Sequence, residues 1–175
     1  MGCTLLNYNH LLIIVVFFVR SYCDEALKKV GIAKSIKQIN HSYTSKVGSI
    51  RGMHYQHLPQ AEIKMVRCIA GEIFDVAIDL RKGSDTFLQW HGEYLSAGDF
   101  KMIIIPEGFA HGFQATKENT EIFYPSTASY NPKLESGILF NDKSIGIEWP
   151  LQVTDVSDKD LSHEAITKEF KGVVI

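Results

Sequence analysis

The chain has 175 residues, 45% of them hydrophobic and 22% charged, with a formal net charge of -2. That length supports one domain with a sizeable core, and the composition is that of an ordinary globular protein. The near-neutral balance offers no broad field for nucleic acid or an anionic membrane, so an anionic ligand would have to be met by local arginine and lysine.

The first element is "LLIIVVFFV", nine apolar residues from Leu11 to Val19. A membrane-spanning helix needs about 20. The preceding "MGCTLLNYNH" has no Lys or Arg to open a secretory signal. Leu6 stands where N-myristoylation wants Ser or Thr. The run reads as a buried strand, with a secretory signal or a sequence artefact as alternatives. "DEALKKVGI" follows as the one clear helix, with apolar positions at Ala26, Leu27 and Val30 and Gly31 to end it. From Ile36 onward the pattern is that of strands. In "SIKQINHSYTS", Gln38, Asn40 and Ser42 fall on one face and Ile39 and His41 on the other. "KMVRCIAGEIFDVAIDLRKGS" reads as two strands about a turn at Gly71-Glu72, and "DVAIDLR" is apolar enough to be covered on both sides. "WHGEYLSAGDFKMIII" gives another pair, turning at Ala97-Gly98-Asp99. In "PEGFAHGF", Pro106 and Gly108 interrupt the ladder, and His111 stands where the strand restarts. "EIFYPSTASYN" adds one more strand. After Asn131 the chain is loop-rich, with "SIGIEWP" as a short strand and "LSHEAITKEFKG" as a short helix. No repeat, low-complexity tract or linker divides the chain, so residues 1–175 read as a single domain. Many short strands at regular spacing predict an all-β barrel or jelly roll with short flanking helices. Cys3, Cys23 and Cys68 form no pairing framework, which fits a reduced, cytoplasmic setting.

Several polar residues sit where such a fold could turn them inward. In "RGMHYQ", Arg51 and His54 are three apart, and a kink at Gly52 would let both face one cavity. Lys64 lies between Ile63 and Met65 at a strand start. On the inner face it would need an anion; on the outer face it would need only water. A metal-binding double-stranded β-helix usually offers His-x-His, a Glu and a distant His. Here His54 and His57 are separated by two residues, and Glu62 does not match the acidic position. Gly98, Pro106, Gly108 and His111 keep the later half of the pattern. Too few ligands remain for a tight site, and no metal or cofactor is expected. His111 is then either a hydrogen-bonded core histidine or part of a ligand site. His54 is a candidate general base. Tyr124 in "FYP" is a candidate acid or a packed aromatic. Asp160 in "VSDKD" could orient His54, or be a solvated loop charge.

Taken in order, "RGMHYQ", "KMVRCIAGEIFDVAIDLRKGS", "PEGFAHGF", "NDKSIGIEWP" and "VSDKD" make the chain resemble the dTDP-4-dehydrorhamnose 3,5-epimerase family, from about Phe17 to about Asp160. The resemblance implies a metal-free cupin jelly roll, usually a homodimer, that takes a dTDP-sugar and needs no cofactor. Such enzymes invert carbons 3 and 5 of dTDP-4-dehydro-6-deoxy-D-glucose to give dTDP-4-dehydro-L-rhamnose. It implies His54 as proton acceptor and Tyr124 as proton donor, with Lys64 and His111 around the sugar and its 4-keto oxygen. Asp160 would stand behind the base, and Lys159 would touch the nucleotide. Arg51, Gln38, Asn40 and Glu135 would be further substrate contacts, and Tyr130 the ring that stacks on thymine.

The chain departs from that family at its start. Val15 and Val16 occupy the positions of an Arg-Gly pair, Arg20 replaces a common glutamate, and the usual first strands are not recognisable in "MGCTLLNYNHLLIIVV". A frameshift or mis-assigned start upstream of Phe17 would produce such a break. Ala128 and Ser129 replace commoner residues before Tyr130. The alternatives are an epimerase that inverts one carbon of another nucleotide 4-keto sugar, a non-catalytic sugar-nucleotide-binding cupin, and a metal-dependent cupin oxygenase.

Overall fold

The computed structural model describes residues 4–7, 11–13 and 16–175, with side chains from Phe18 onward. In chain order the elements are β1 (Thr4–Asn7), β2 (Leu11–Ile13), β3 (Val16–Phe18), α1 (Asp24–Lys29), β4 (Gln38–Thr44), β5 (Ser49–Gln56), β6 (Lys64–Ala70), β7 (Glu72–Asp79), β8 (Trp90–Ser96), β9 (Lys101–Ile105), β10 (Phe109–Ala115), β11 (Thr120–Ser126), β12 (Glu135–Gly137), β13 (Asp155–Val156) and α2 (Asp158–Leu161). One sheet has the order β1-β9-β6-β11-β4, and the other β12-β5-β10-β7-β8 with β13 parallel to β5. From β4 to β12 the chain changes sheet at every connection except the β7–β8 hairpin. This is the winding of a jelly roll, which buries one face of each sheet against the other. The turns at Gly71 and at Ala97 to Asp99 were expected to join paired strands. They carry the chain from one sheet to the other instead.

Apolar patterning follows the layers. Val66, Cys68, Ile73, Ala77, Leu95, Ile103, Ile105, Phe113 and Ile122 fill the space between the sheets. On the outer side of the five-stranded sheet, Leu27 of α1 and Ile32 cover Met65, Met102 and Ile104. The run "MIII" is therefore covered on both faces, which explains its lack of alternation. On the outer side of the six-stranded sheet, Ile138, Ile145, Ile147, Trp149, Ile166, Phe170 and Val173 pack over Met53, Tyr55, Val76, Ile78 and Leu80. α1 ends where expected, its acidic first turn and basic last turn matching the helix dipole.

Four expectations are corrected. Leu11 to Val19 is not one buried strand: β2 and β3 pair antiparallel with each other, satisfying their backbone groups within the run, and the Phe18 side chain is 69% exposed. The segment upstream of Phe17 also contains a strand, since β1 pairs with β9; ladder bonds come from the backbone and do not require the family's side chains. Ser144 to Pro150 forms no strand. The amides of Ile145 and Gly146 turn back to the Asp142 carbonyl, and the apolar side chains seal the sheet from a loop. The C-terminal helix is α2, started by Ser157, whose hydroxyl accepts from the Asp160 amide; the chain from His163 onward is irregular.

One irregularity positions the functional residues. In the β10–β5 pair, His111 lies opposite His54 but Phe113 lies opposite Arg51, so two steps on β10 match three on β5. The extra residue is a bulge at Gly52 and Met53. Strict alternation would put Arg51 and His54 on opposite faces; with the bulge both line one cavity. Gly52 has φ of +125°, and a Cβ there would lie 2.5 Å from Gly112 Cα and 2.8 Å from the His111 carbonyl oxygen. Both obstacles are backbone atoms. Gly52→Ala is expected to cost more than about 2 kcal/mol of stability, read as a lowered urea midpoint at unchanged m-value.

Candidate active site

The functional side chains converge where the two sheets open. His54, Lys64 and Tyr124 border two adjoining recesses. The inner one, about 220 Å³, is completed by Ser42, Arg51, His111, Phe113 and Ile122. The outer one, about 110 Å³, is completed by Gln38, Tyr55, Gln56, Glu62, Tyr130 and Glu135. His54 rises from β5 in the six-stranded sheet and Tyr124 from β11 in the five-stranded sheet, so they face the space from opposite walls. A third cavity, about 250 Å³, is bordered by Ala77, Asp79, Trp90 and Phe109. Its carboxylate is already taken up by Arg81, Ser84 and Thr86.

His54 Nε2 is 2.6 Å from Asp160 Oδ1, and Asp160 Oδ2 accepts the Gly52 N–H at 3.2 Å. Burial opposes a charge on Asp160. The hydrogen bond and charge of His54, with the Gly52 amide and Ser157, outweigh it and hold the carboxyl below its usual value. Lys64 is on the inner face, which overturns the solvated alternative. Its Nζ is 3.4 Å from Glu62 Oε1 and donates to the His54 carbonyl at 3.4 Å. His111 satisfies both of its readings: it is buried, with Nε2 2.8 Å from Asp75 Oδ2, and it also lines the recess. Arg51 Nη2 donates to Asp155 Oδ2 at 2.8 Å. Burial, and then the charges of Glu62 and Glu135, raise the Tyr124 phenol above its ordinary value, so it is protonated at neutral pH.

The nucleotide residues implied by the resemblance gather at the outer rim. Lys159 ion-pairs with Glu135, Tyr130 Oη donates to Glu135 Oε2 at 2.8 Å, and Lys159 Nζ stands 6.0 Å from the centre of the Tyr130 ring. Burial alone would raise the Glu135 carboxyl, but the Lys159 and Tyr130 hydrogen bonds bring it below its usual value. Gln38 Oε1 accepts the Tyr130 amide at 2.8 Å, and Gln56 Oε1 the Asn131 amide at 2.7 Å, so both hold the loop that presents the ring. Asn40 lies opposite Tyr124 in the β4–β11 ladder, on the inward face with Gln38 and Ser42. Arg20 is exposed, and Val15 lies outside the described residues.

Sequence reasoning missed four members of this constellation. Asp75 is a carboxylate inside a strand covered on both faces, and that mismatch was a usable signal. Glu62 is two residues before Lys64, the spacing of one strand face. Asp155 and His163 had no local signal. His163 is half-buried and packs against Gly137, its ring 5.8 Å from that of His54 and its Nε2 3.9 Å from Asp160 Oδ1. Burial and then the neighbouring His54 charge lower its pKa. One ligand atom each from His54, Asp160 and His163 lies within 4.8 Å of the others, although Asp160 and His54 are already hydrogen-bonded together.

With this geometry in place, comparison with known proteins is informative. The family model described as dTDP-4-dehydrorhamnose 3,5-epimerase matches residues 15–168. The chain is 46% identical over 147 residues to a dTDP-4-dehydrorhamnose 3,5-epimerase of Shigella flexneri, covering 83% of this chain and 81% of that one. Its fold is similar to the crystal structure of the Bacillus anthracis enzyme with TDP and PPi bound, at a TM-score of 0.91, 38% identity and 94% coverage of both chains. It is also similar to the Legionella pneumophila enzyme in complex with dTDP-4-keto-L-rhamnose, at a TM-score of 0.90 and 35% identity, covering 99% of this chain and 94% of that one. Fold, sequence and the placement of His54 and Tyr124 across one recess agree, and the chain belongs to the dTDP-4-dehydrorhamnose 3,5-epimerase family.

Proposed function

We propose that the chain epimerises carbons 3 and 5 of dTDP-4-dehydro-6-deoxy-D-glucose, with His54 as base and Tyr124 as acid. The observation that carries this reading is their position on opposite walls of one recess, with Lys64 on the strand next to that of Tyr124 and lining the same recess. Inversion needs a proton removed from one face of a carbon and returned to the other. With Nε2 held by Asp160, Nδ1 of His54 is the nitrogen left to take the proton. The C–H electron pair moves into an enolate on the 4-keto oxygen, where the Lys64 ammonium stabilises it in a largely water-excluded site. Tyr124 delivers its phenolic proton to the opposite face. Solvent then takes the proton from His54 and returns one to Tyr124. His111, fixed by Asp75, lines the recess beside the sugar. Arg51 and Lys159 meet the diphosphate, and the 53%-exposed Tyr130 ring offers a stacking surface for thymine.

The chain acts as a homodimer in the cytoplasm, where nucleotide sugars are made. Support for the dimer lies on the outer face of the five-stranded sheet, where Ile39, Tyr43 and Ile69 are 57%, 58% and 39% exposed beside Phe123. The His41–Glu121 ion pair lies among these apolar side chains, and such a mixed apolar and polar face is characteristic of an interface. Among the described residues no helix is long and apolar enough to cross a membrane.

Proton NMR of the 4-keto sugar nucleotide in heavy water tests the chemistry. The wild-type chain is expected to wash out the carbon-3 and carbon-5 protons and form the L-sugar; exchange at carbon 3 alone would make it a single-centre epimerase. His54→Asn is expected to lose exchange by about 10²–10⁴-fold, whereas Tyr124→Phe retains exchange but loses inverted product. Wild-type exchange in His54→Asn would remove that residue from the role of base. For the assembly, sedimentation should give twice the 19.7 kDa chain mass, and Tyr43→Asp should shift it toward the monomer. A wild-type monomer at micromolar concentration refutes the dimer.

A further inference from the structure

We propose that Glu62 is a positioning residue for this reaction, holding the Lys64 ammonium beside the developing enolate and Tyr124 as a neutral phenol. The inference rests on the epimerase reading above and assigns a role to a carboxylate which that reading does not use.

The Glu62 side chain is 9% exposed and that of Lys64 is 13% exposed, so this pair is removed from most solvent screening. Glu62 Oε1 lies 3.4 Å from Lys64 Nζ. The other oxygen accepts a hydrogen bond from the hydroxyl of Ser126, itself fully buried and opposite Lys64 in the β11–β6 ladder. The carboxylate is thus clamped to the sheet, unlike a mobile surface partner. An ammonium group has three donors. For Lys64, one points to the His54 carbonyl and one to Glu62, leaving one for a sugar oxygen. Without the carboxylate, the Lys64 ammonium would lose its fixed partner and its aim at the enolate oxygen.

The same charge acts on the acid. After burial, Glu62 is the leading cause of the raised Tyr124 pKa, with Glu135 next. The other charged or titratable groups facing this space are His54 and Arg51 from β5, His111 from β10, Glu135 from β12, and Tyr130 from its loop. None of the cations among them approaches Glu62 as an ion pair; Lys64 does. Removing the Glu62 charge therefore favours proton loss from Tyr124, and that loss stops turnover on the alkaline side.

The test is the pH profile of kcat for E62Q, whose amide keeps the shape and an acceptor for Ser126. The acid limb is expected to stay in place and the alkaline limb to move down by about one pH unit, in line with the loss of a negative charge near the phenol. KM should change by less than about threefold, since binding energy is supplied elsewhere. E62D, which retains the carboxylate, should restore most of the alkaline limb. S126A, which loosens the clamp, should give a smaller downward shift and serves if E62Q does not fold. An alkaline limb unmoved in E62Q, or moved equally in E62Q and E62D, overturns the proposal. If the wild-type chain does not turn over the sugar, the epimerase reading fails first. The ultraviolet titration of tyrosinate, with Tyr124→Phe as the reference, then still reads the effect of E62Q: Tyr124 titrating at unchanged pH refutes the role of Glu62 independently.

Discussion

The carboxylate of Asp160 ties the two ends of the barrel together. It comes from α2, 106 residues beyond His54, and binds both the base and the amide of the bulge that aims the base. A bulge leaves a residue outside the regular ladder, and a buried unpaired N–H is costly. One acidic side chain thus satisfies the irregular backbone at Gly52 and fixes the His54 ring. β13 delivers it, running parallel to β5 immediately before α2, and it brings Asp155 to Arg51 on the way. The short, poorly patterned C-terminal segment therefore borders the candidate site and also covers the outer core.

The rest of the site repeats this economy. Lys64 is met by Glu62, His111 by Asp75, and Lys159 by Glu135. In an enclosed mouth, an uncompensated cation would lose its charge or destabilise the fold. Fixed carboxylates hold these basic groups in place. His111 and Asp75 sit on neighbouring strands of the double sheet, whereas Glu62 immediately precedes β6 and Lys159 lies on α2. The nucleotide side of the mouth differs: Tyr130 sits on a loop held by Gln38 and Gln56, and it stays exposed where an aromatic base could cover it.

Much of the architecture was legible because it is written locally. Alternation in "QINHSYT" set Gln38, Asn40 and Ser42 on one face, and the near-continuous "DVAIDLR" signalled a strand covered on both sides, as β7 is. The kink at Gly52 was readable from a glycine between Arg51 and His54. Two local patterns misled. "LLIIVVFFV" has the apolarity of one buried strand, yet it pairs with itself. "SIGIEWP" has a strand's composition, yet its side chains reach the core from a loop closed by Asp142. Composition reports that side chains are buried; it does not report which backbone they hydrogen-bond to.

By itself, the sequence determined the fold class and the strand faces, since these follow from short-range periodicity and from motifs a few residues long, while the roles proposed for His54, Tyr124 and Lys64 were implied by the family resemblance. Only the tertiary structure decided which carboxylate serves which base, and that His54 and Tyr124 stand on opposite walls. The physical reason is distance along the chain. Asp160 reaches His54 across 106 residues and Asp75 reaches His111 across 36. Such pairings are set by sheet order and by a one-residue shift in register, and no local signal in the sequence records either.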